Sequence, residues 1–198
     1  MFSSCISLVS AALAICAVLL SSKQKVLARP LSILSALVAL PVYYERGHYP
    51  KCVLNVIYVV LNVYGWHKWR HGGPHRTALP VSRISVREAG ALTAVGVLGT
   101  VVLGLFFTKV FPSLDVSLTY WDSLHMAFAI AAQWLMVRKK IETWIVWVGL
   151  DVLYFFLCWR SDLPVFSALH VFYLIVAVYG YRSWSLSLRA QRPPHKGL

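Results

Sequence analysis

The stretch Glu142-Thr-Trp-Ile-Val-Trp-Val-Gly-Leu-Asp-Val-Leu-Tyr-Phe-Phe-Leu-Cys-Trp159 decides the fold. It is apolar for almost its whole length, follows the basic turn Arg138, Lys139, Lys140, and carries one acid in its interior, Asp151. A helix of about 20 apolar residues crosses a bilayer core, and this segment has that length. Outward from it, six more runs of the same kind fall at about Ile6 to Leu20, Leu27 to Tyr43, Cys52 to Trp69, Ala89 to Val110, Tyr120 to Val137 and Val165 to Trp184. The chain therefore reads as an all-α integral membrane protein with seven transmembrane helices. A hydrophobic share of 59% over 198 residues exceeds what one soluble core requires, and the excess must face lipid.

The net charge of +12 raises the possibility of nucleic acid as a partner, but the cations lie between apolar runs, which points instead to orientation in a bilayer. Alternate connections hold Lys23, Lys25 and Arg29; Lys68, Arg70, Arg76, Arg83 and Arg87; Arg138, Lys139 and Lys140; and Arg182, Arg189, Arg192 and Lys196. The other side holds Arg46, Lys51, Lys109 and Arg160. This bias predicts a multi-pass plasma (inner) membrane protein with its N-terminus outside and its C-terminus cytoplasmic. No Lys or Arg precedes the first apolar run, the reverse of a secretory signal, so that run is read as a span.

Cys5, Cys16, Cys52 and Cys158 lack ligand spacing and suggest neither disulfides nor zinc. His67, His71 and His75 have the spacing of a metal face, but Gly72, Gly73 and Pro74 break the helix it requires. No cofactor or metal is expected. The polar stretch from His67 to Arg87 divides the chain. Sliding His48 to Trp69 by 115 residues onto Leu163 to Trp184 matches 7 of 22 positions, with Tyr58, Tyr64, Gly65 and Trp69 falling on Tyr173, Tyr179, Gly180 and Trp184. The expected organisation is a first three-helix repeat (1–69), a basic cytoplasmic linker (70–88), a connecting helix (89–110), a second repeat (119–184) and a basic tail (185–198). Two parallel repeats imply a substrate path between them near the midplane.

Of the seven acids, Glu45, Glu88, Asp115, Asp122, Glu142 and Asp162 fall at span ends or in loops. Asp151 lies roughly 13 Å inside its helix, where a carboxylate is costly and marks a functional site. Trp144, Trp147 and Asp151 are spaced i, i+3 and i+7 and share one roughly 60° sector. Two indoles and a carboxylate suit a flat organic cation, since ring faces attract positive charge and the acid supplies a counter-ion. Asn55, Tyr58 and Asn62 follow the same spacing on the third span, and the repeat sets His170 and Tyr173 opposite them. Each of these polar residues also has a purely structural reading as interhelical glue. His125, Gln133 and Trp134 form a weaker group, with His125 a candidate proton carrier; Tyr120, Trp121 and Asp122 read as interface belt and cap.

Asn62-Val-Tyr-Gly-Trp66 with Trp69, Trp121-Asp-Ser123, the turn Arg138 to Glu142, and Trp144-x-x-Trp147-x-x-x-Asp151 resemble the PnuC family of vitamin transporters over nearly the whole chain. The resemblance implies a SWEET-like three-plus-one-plus-three fold that moves nicotinamide riboside inward by facilitated diffusion, with cytosolic phosphorylation trapping the product. It implies that Trp144 and Trp147 hold the pyridinium ring, with Asn55, Tyr58 and Asn62 on the polar third-helix face. Where nicotinamide riboside transporters of the family carry Asn after the two tryptophans, this chain has Asp151. A cationic riboside tolerates that exchange, and so does thiamine, carried by PnuT-type relatives.

Protonation of Asp151 would instead couple uptake to protons. A membrane enzyme would need a His-Glu-x-x-His, Gly-x-Ser-x-Gly or phosphate-loop signature, none of which is present. A receptor or scaffold would leave a costly midplane acid facing two tryptophans unexplained. The expected partners are thus a small vitamin and the lipid bilayer, and the sequence leaves a homo-oligomer open.

Overall fold

The computed structural model describes residues 2–45, 49–111, 116–160 and 164–191. Arg46, Asp115, Asp162, Arg192 and Lys196 lie outside the described residues, as do His48 and Leu163 at the edge of the repeat match. Seven helices follow in order: α1 (Phe2–Ser22), α2 (Ala28–Glu45), α3 (Tyr49–His71), α4 (Val86–Val110), α5 (Val116–Val137), α6 (Thr143–Arg160) and α7 (Pro164–Ala190). The helix count is the expected one. Several run past their expected spans, α7 furthest, because Leu188 beyond Trp184 still packs on the core.

Among the described residues, three helices are long and apolar enough by length and composition to cross a membrane, with windows at Cys5–Ser22, Val86–Val110 and Thr143–Arg160. The others carry polar residues that the helix packing uses, such as Arg29 on α2 and Asn62 on α3.

Packing follows chain order except at one point. α1 packs on α2, α2 on α3, α3 on α5, α5 on α6, α6 on α7, and α7 returns to α1, which closes a six-helix ring. α4 packs on α5 at the margin, where Gly96 and Gly104 admit the rings of Phe128 and Tyr120. Val95, Leu98, Val102 and Phe106 of α4 remain exposed, an apolar surface for lipid to cover. A capping box starts this helix: Glu88 N–H donates to Ser85 Oγ and Ser85 N–H to the Glu88 carboxylate.

The ring has an internal two-fold regularity that hydrogen bonds make explicit. In the turn after α1, Gln24 N–H donates to Ser21 O at 3.0 Å and Lys25 N–H to Leu20 O at 2.9 Å. In the turn after α5, Lys139 N–H donates to Met136 O at 3.1 Å and Lys140 N–H to Leu135 O at 2.9 Å. Each turn places a non-glycine residue in the left-handed region, Gln24 at φ 57° and Lys139 at φ 50°. Trp69 Nε1 donates to Met136 O and Trp184 Nε1 to Ser21 O, at 3.2 and 3.1 Å, so each half's last tryptophan caps the other half's first helix. All these pairs obey the same offset of 115 residues.

The two tryptophans meet at 6.0 Å in a buried hydrophobic cluster with Val81, Met136, Ile141, Trp144 and Ala177. This cluster lies at the end of the ring where the turns 23–27 and 138–142 and the linker converge, called here the basic end. The linker is stitched to it: Ser82 N–H donates to Lys139 O, Ile141 N–H to Ser82 O, and Ile84 N–H to a Glu142 carboxylate oxygen.

Two cations assigned above to solvent-facing connections are buried instead. Arg29, 1% exposed, donates to Asn62 Oδ1 at 3.1 Å and to the Ser21 hydroxyl, and its guanidinium sits 4.4 Å from the Trp69 ring centre. Lys139 Nζ lies 4.7 Å from the same ring and donates to Leu79 O at 2.8 Å. Aromatic faces and oxygens from across the ring replace water as their partners. Burial, and after it the neighbouring Arg29 charge, pulls the Lys139 pKa down to about 8. α3 ends at His71 while His75 takes φ 51°, so the three linker histidines do not continue one helical face.

Candidate functional site

On α6 the shared face of Trp144, Trp147 and Asp151 turns toward α7. Near the basic end, Trp144 packs edge-on against Trp184 at 5.5 Å, and Gly180 is the residue that makes room. A Cβ at Gly180 would stand 2.6 Å from the Trp144 ring. Two turns further along, Asp151 Oδ1 lies 3.0 Å from His170 Nδ1. Asp151 is 6% exposed and His170 part-buried, so this is an acid withdrawn from solvent with an imidazole as resident partner.

Around this pair the second repeat gathers further polar aromatic residues. Tyr154, one turn beyond Asp151 on α6, has its ring 5.3 Å from His170 and 4.1 Å from His125 of α5. Its hydroxyl donates to Asp122 of α5. Tyr173, three residues after His170, completes the set at 6.4 Å. Three helices thus deliver two carboxylates, two imidazoles and two phenols to one region extending from mid-helix toward the end opposite the basic one.

The expected residues separate into groups. Asp151, His170 and Tyr173 come together. Trp147 is half-buried at the margin of the basic-end core, while Trp144, 1% exposed, is sealed inside it. Asn55, Tyr58 and Asn62 lie on α3, which stands opposite α7 in the ring order. Asn55 donates to Lys51 O of its own helix at 2.8 Å. Asn62 is fully engaged, donating to Tyr58 O at 2.8 Å and accepting from Arg29.

Tyr154 escaped the sequence reading, and Asp122 was read only as a cap. The available signal was spacing: Tyr154 follows Asp151 by three residues, and Asp122 precedes His125 by three, so each pair shares a helix face.

Chemically, the region offers a buried carboxylate as counter-ion and hydrogen-bond acceptor, with ring faces beside it for a planar ligand. A closed ring of apolar helices around a polar interior group fits the class of multi-pass membrane transporters. Comparison with known proteins makes this specific. Residues 4–186 match the family model described as nicotinamide mononucleotide transporter, and the chain belongs to that family. The nicotinamide riboside transporter PnuC of Escherichia coli (strain K12) is 24% identical over 170 residues, covering 75% of this chain and 71% of that protein. The riboflavin/roseoflavin transporter RibM of Streptomyces davaonensis is 28% identical over 179 residues, covering 85% and 79%. The crystal structure of the vitamin B3 transporter PnuC superposes with a TM-score of 0.74 at 24% identity, covering 96% of this chain and 84% of that one.

Proposed function

We propose that this transporter takes up nicotinamide riboside by facilitated diffusion, with its N-terminus outside, its C-terminus cytoplasmic, and cytosolic phosphorylation trapping the product. The observation that carries this reading is the buried Asp151 beside His170, framed by the rings of Tyr154, His125 and Tyr173. An ionised Asp151 beside a neutral imidazole gives the pair one net negative charge. A pyridinium ring supplies the matching positive charge in a flat shape, and its ribose hydroxyls match the polar side chains of α3, Asn55 and Tyr58. In this reading Trp147 is the wall nearest the carboxylate. Trp144 and Asn62 act from the closed basic end, where a change of ring conformation has to release them before they touch substrate.

Thiamine, also cationic, is the second reading, favoured by Asp151 itself, since an ionised carboxylate serves any flat cation. Proton coupling is a third, favoured by the direct contact of an acid with an imidazole. Purified protein titrated with nicotinamide riboside, thiamine and riboflavin, with melting temperature as readout, separates the substrates. The expected result is a saturable shift with the riboside that Asp151→Ala abolishes and Asp151→Asn partly retains. A shift with riboflavin alone, insensitive to Asp151→Ala, overturns the cation reading. Uptake into proteoliposomes unaffected by an imposed pH gradient excludes proton coupling.

A further inference from the structure

The seam between the repeats, where α3 meets α5, opens at the basic end into a cleft of about 440 Å³. Tyr64 of α3 and Trp134 of α5 stack at 5.8 Å with planes 12° apart. Lys68 Nζ stands 5.8 Å from the Tyr64 ring centre and the Arg138 guanidinium 5.5 Å from that of Trp134. Lys140 and Ser82 line the side formed by the linker and the α5–α6 turn.

The charges do not balance. Glu88 meets Arg138 through one guanidinium nitrogen at 3.3 Å, leaving the other N–H groups of that fork available. Lys140 Nζ donates to Arg83 O at 2.9 Å and retains two further protons. Lys68, Arg138 and Lys140 against Glu88 leave an excess of two positive charges around a pair of stacked rings. A hydroxyl, two ammonium groups and a guanidinium converging on one cleft form the donor set of a phosphate site.

We propose that this cleft binds a phosphate group, and that an anionic phospholipid headgroup is its source. The stacked rings lie in the last turns of α3 and α5, where Tyr and Trp mark the membrane–water interface. From that level toward the other end, α3 presents Val56, Val60 and Val63 exposed, an apolar track on which an acyl chain can lie. Basic pockets between transmembrane helices at this depth recognise acidic headgroups. Because the cleft straddles the joint between repeats, an occupied site ties α3 to α5 on the side where the linker already crosses.

Purified full-length protein is titrated with dioctanoyl phosphatidylglycerol, dioctanoyl phosphatidylcholine, glycerol phosphate and inorganic phosphate while melting is followed. Phosphatidylglycerol is expected to raise the melting temperature saturably and phosphatidylcholine is not. Lys68→Gln with Lys140→Gln is expected to weaken the midpoint roughly thirtyfold, and Lys68→Arg with Lys140→Arg to retain it. Protection by glycerol phosphate or inorganic phosphate equal to that of the lipid supports the phosphate site and transfers its source to a soluble phosphate. Equal protection by phosphatidylcholine, or a glutamine variant that responds as the parent does, overturns the proposal. Should the double variant not fold, Lys68→Gln alone, at a half-exposed position, is expected to weaken binding roughly fivefold, and no change there is equally fatal.

Discussion

The two halves of the chain repeat the same turn and capping hydrogen bonds at an offset of 115 residues and differ in their polar side chains. Both close their first turn with the same pair of hydrogen bonds and a left-handed residue at the same position, Gln24 and Lys139, and both end in a tryptophan that caps the other half. At the positions of Asp122, His125, Asp151 and Tyr154, however, the first repeat has Ser7, Ser10, Ala36 and Ala39. There Ser10 and Ser35 hydroxyls donate to each other's backbone carbonyls at 3.0 and 2.9 Å, and α1 and α2 pack through small side chains. The asymmetry reverses at the basic end, where Arg29 of the first repeat occupies the position of Trp144 in the second. The second half thus gathers the polar cluster around Asp151, while the first half places its buried guanidinium, Arg29, where the second has an indole.

The largest way to break this comparison is at the polar site. Asp151→Ala makes the second repeat like the first, with Ala at both positions, and is expected to abolish saturable vitamin binding by the folded protein. Retained binding, measured by calorimetry on the purified variant, moves the site elsewhere.

Next in size is the buried cation. Asn62→Ala removes one of the two side-chain acceptors of Arg29 and leaves a charged N–H group unsatisfied, at a cost of about 1.5–3 kcal/mol in stability. Chemical denaturation in detergent checks it, and a loss near zero means that Arg29 finds another partner.

The glycines test the symmetry directly. Gly65→Ala puts a Cβ 2.6 Å from Val137, and Gly180→Ala puts one 2.6 Å from Trp144. Overpacking of this kind costs about 1–3 kcal/mol. Comparable losses in the two variants are expected; a large loss in one alone shows that only one of the two close approaches matters.

The smallest effect concerns the turns. Lys139 has a folded-state pKa of about 8 against an ordinary 10.5, so between these values the unfolded chain binds the extra proton. Stability therefore rises with pH across that window and the penalty is fully present below it. Lys139→Gln, which copies Gln24 of the other turn, is expected to flatten this rise. An unchanged slope in melting temperature from pH 8 to 10 assigns it to another group.

Much of this was legible in the residues. Seven apolar runs fixed the helix count, because lipid forces each crossing to satisfy its own backbone hydrogen bonds. The motif Tyr-Gly followed by Trp pointed to the 115-residue offset that the turn and capping hydrogen bonds share, and the rarity of an acid inside an apolar run singled out Asp151. Arg29 was misread because proximity to Lys23 and Lys25 made it look like one more loop cation; its acceptor Asn62 lies 33 residues away. Tyr154 was missed because a tyrosine among apolar residues carries no signal until Asp122 is placed against its hydroxyl.

By itself, then, the sequence determined the membrane class, the seven helices and the deep position of Asp151, all properties of spacing and solvation that act along a single chain segment. Only the tertiary structure decided which side chains answer which: His170 to Asp151, Tyr154 to Asp122, Asn62 to Arg29, and Trp144 to Gly180. These pairings depend on the order in which helices close the ring, and helix order is set by packing between segments that the periodicity of any one of them does not encode.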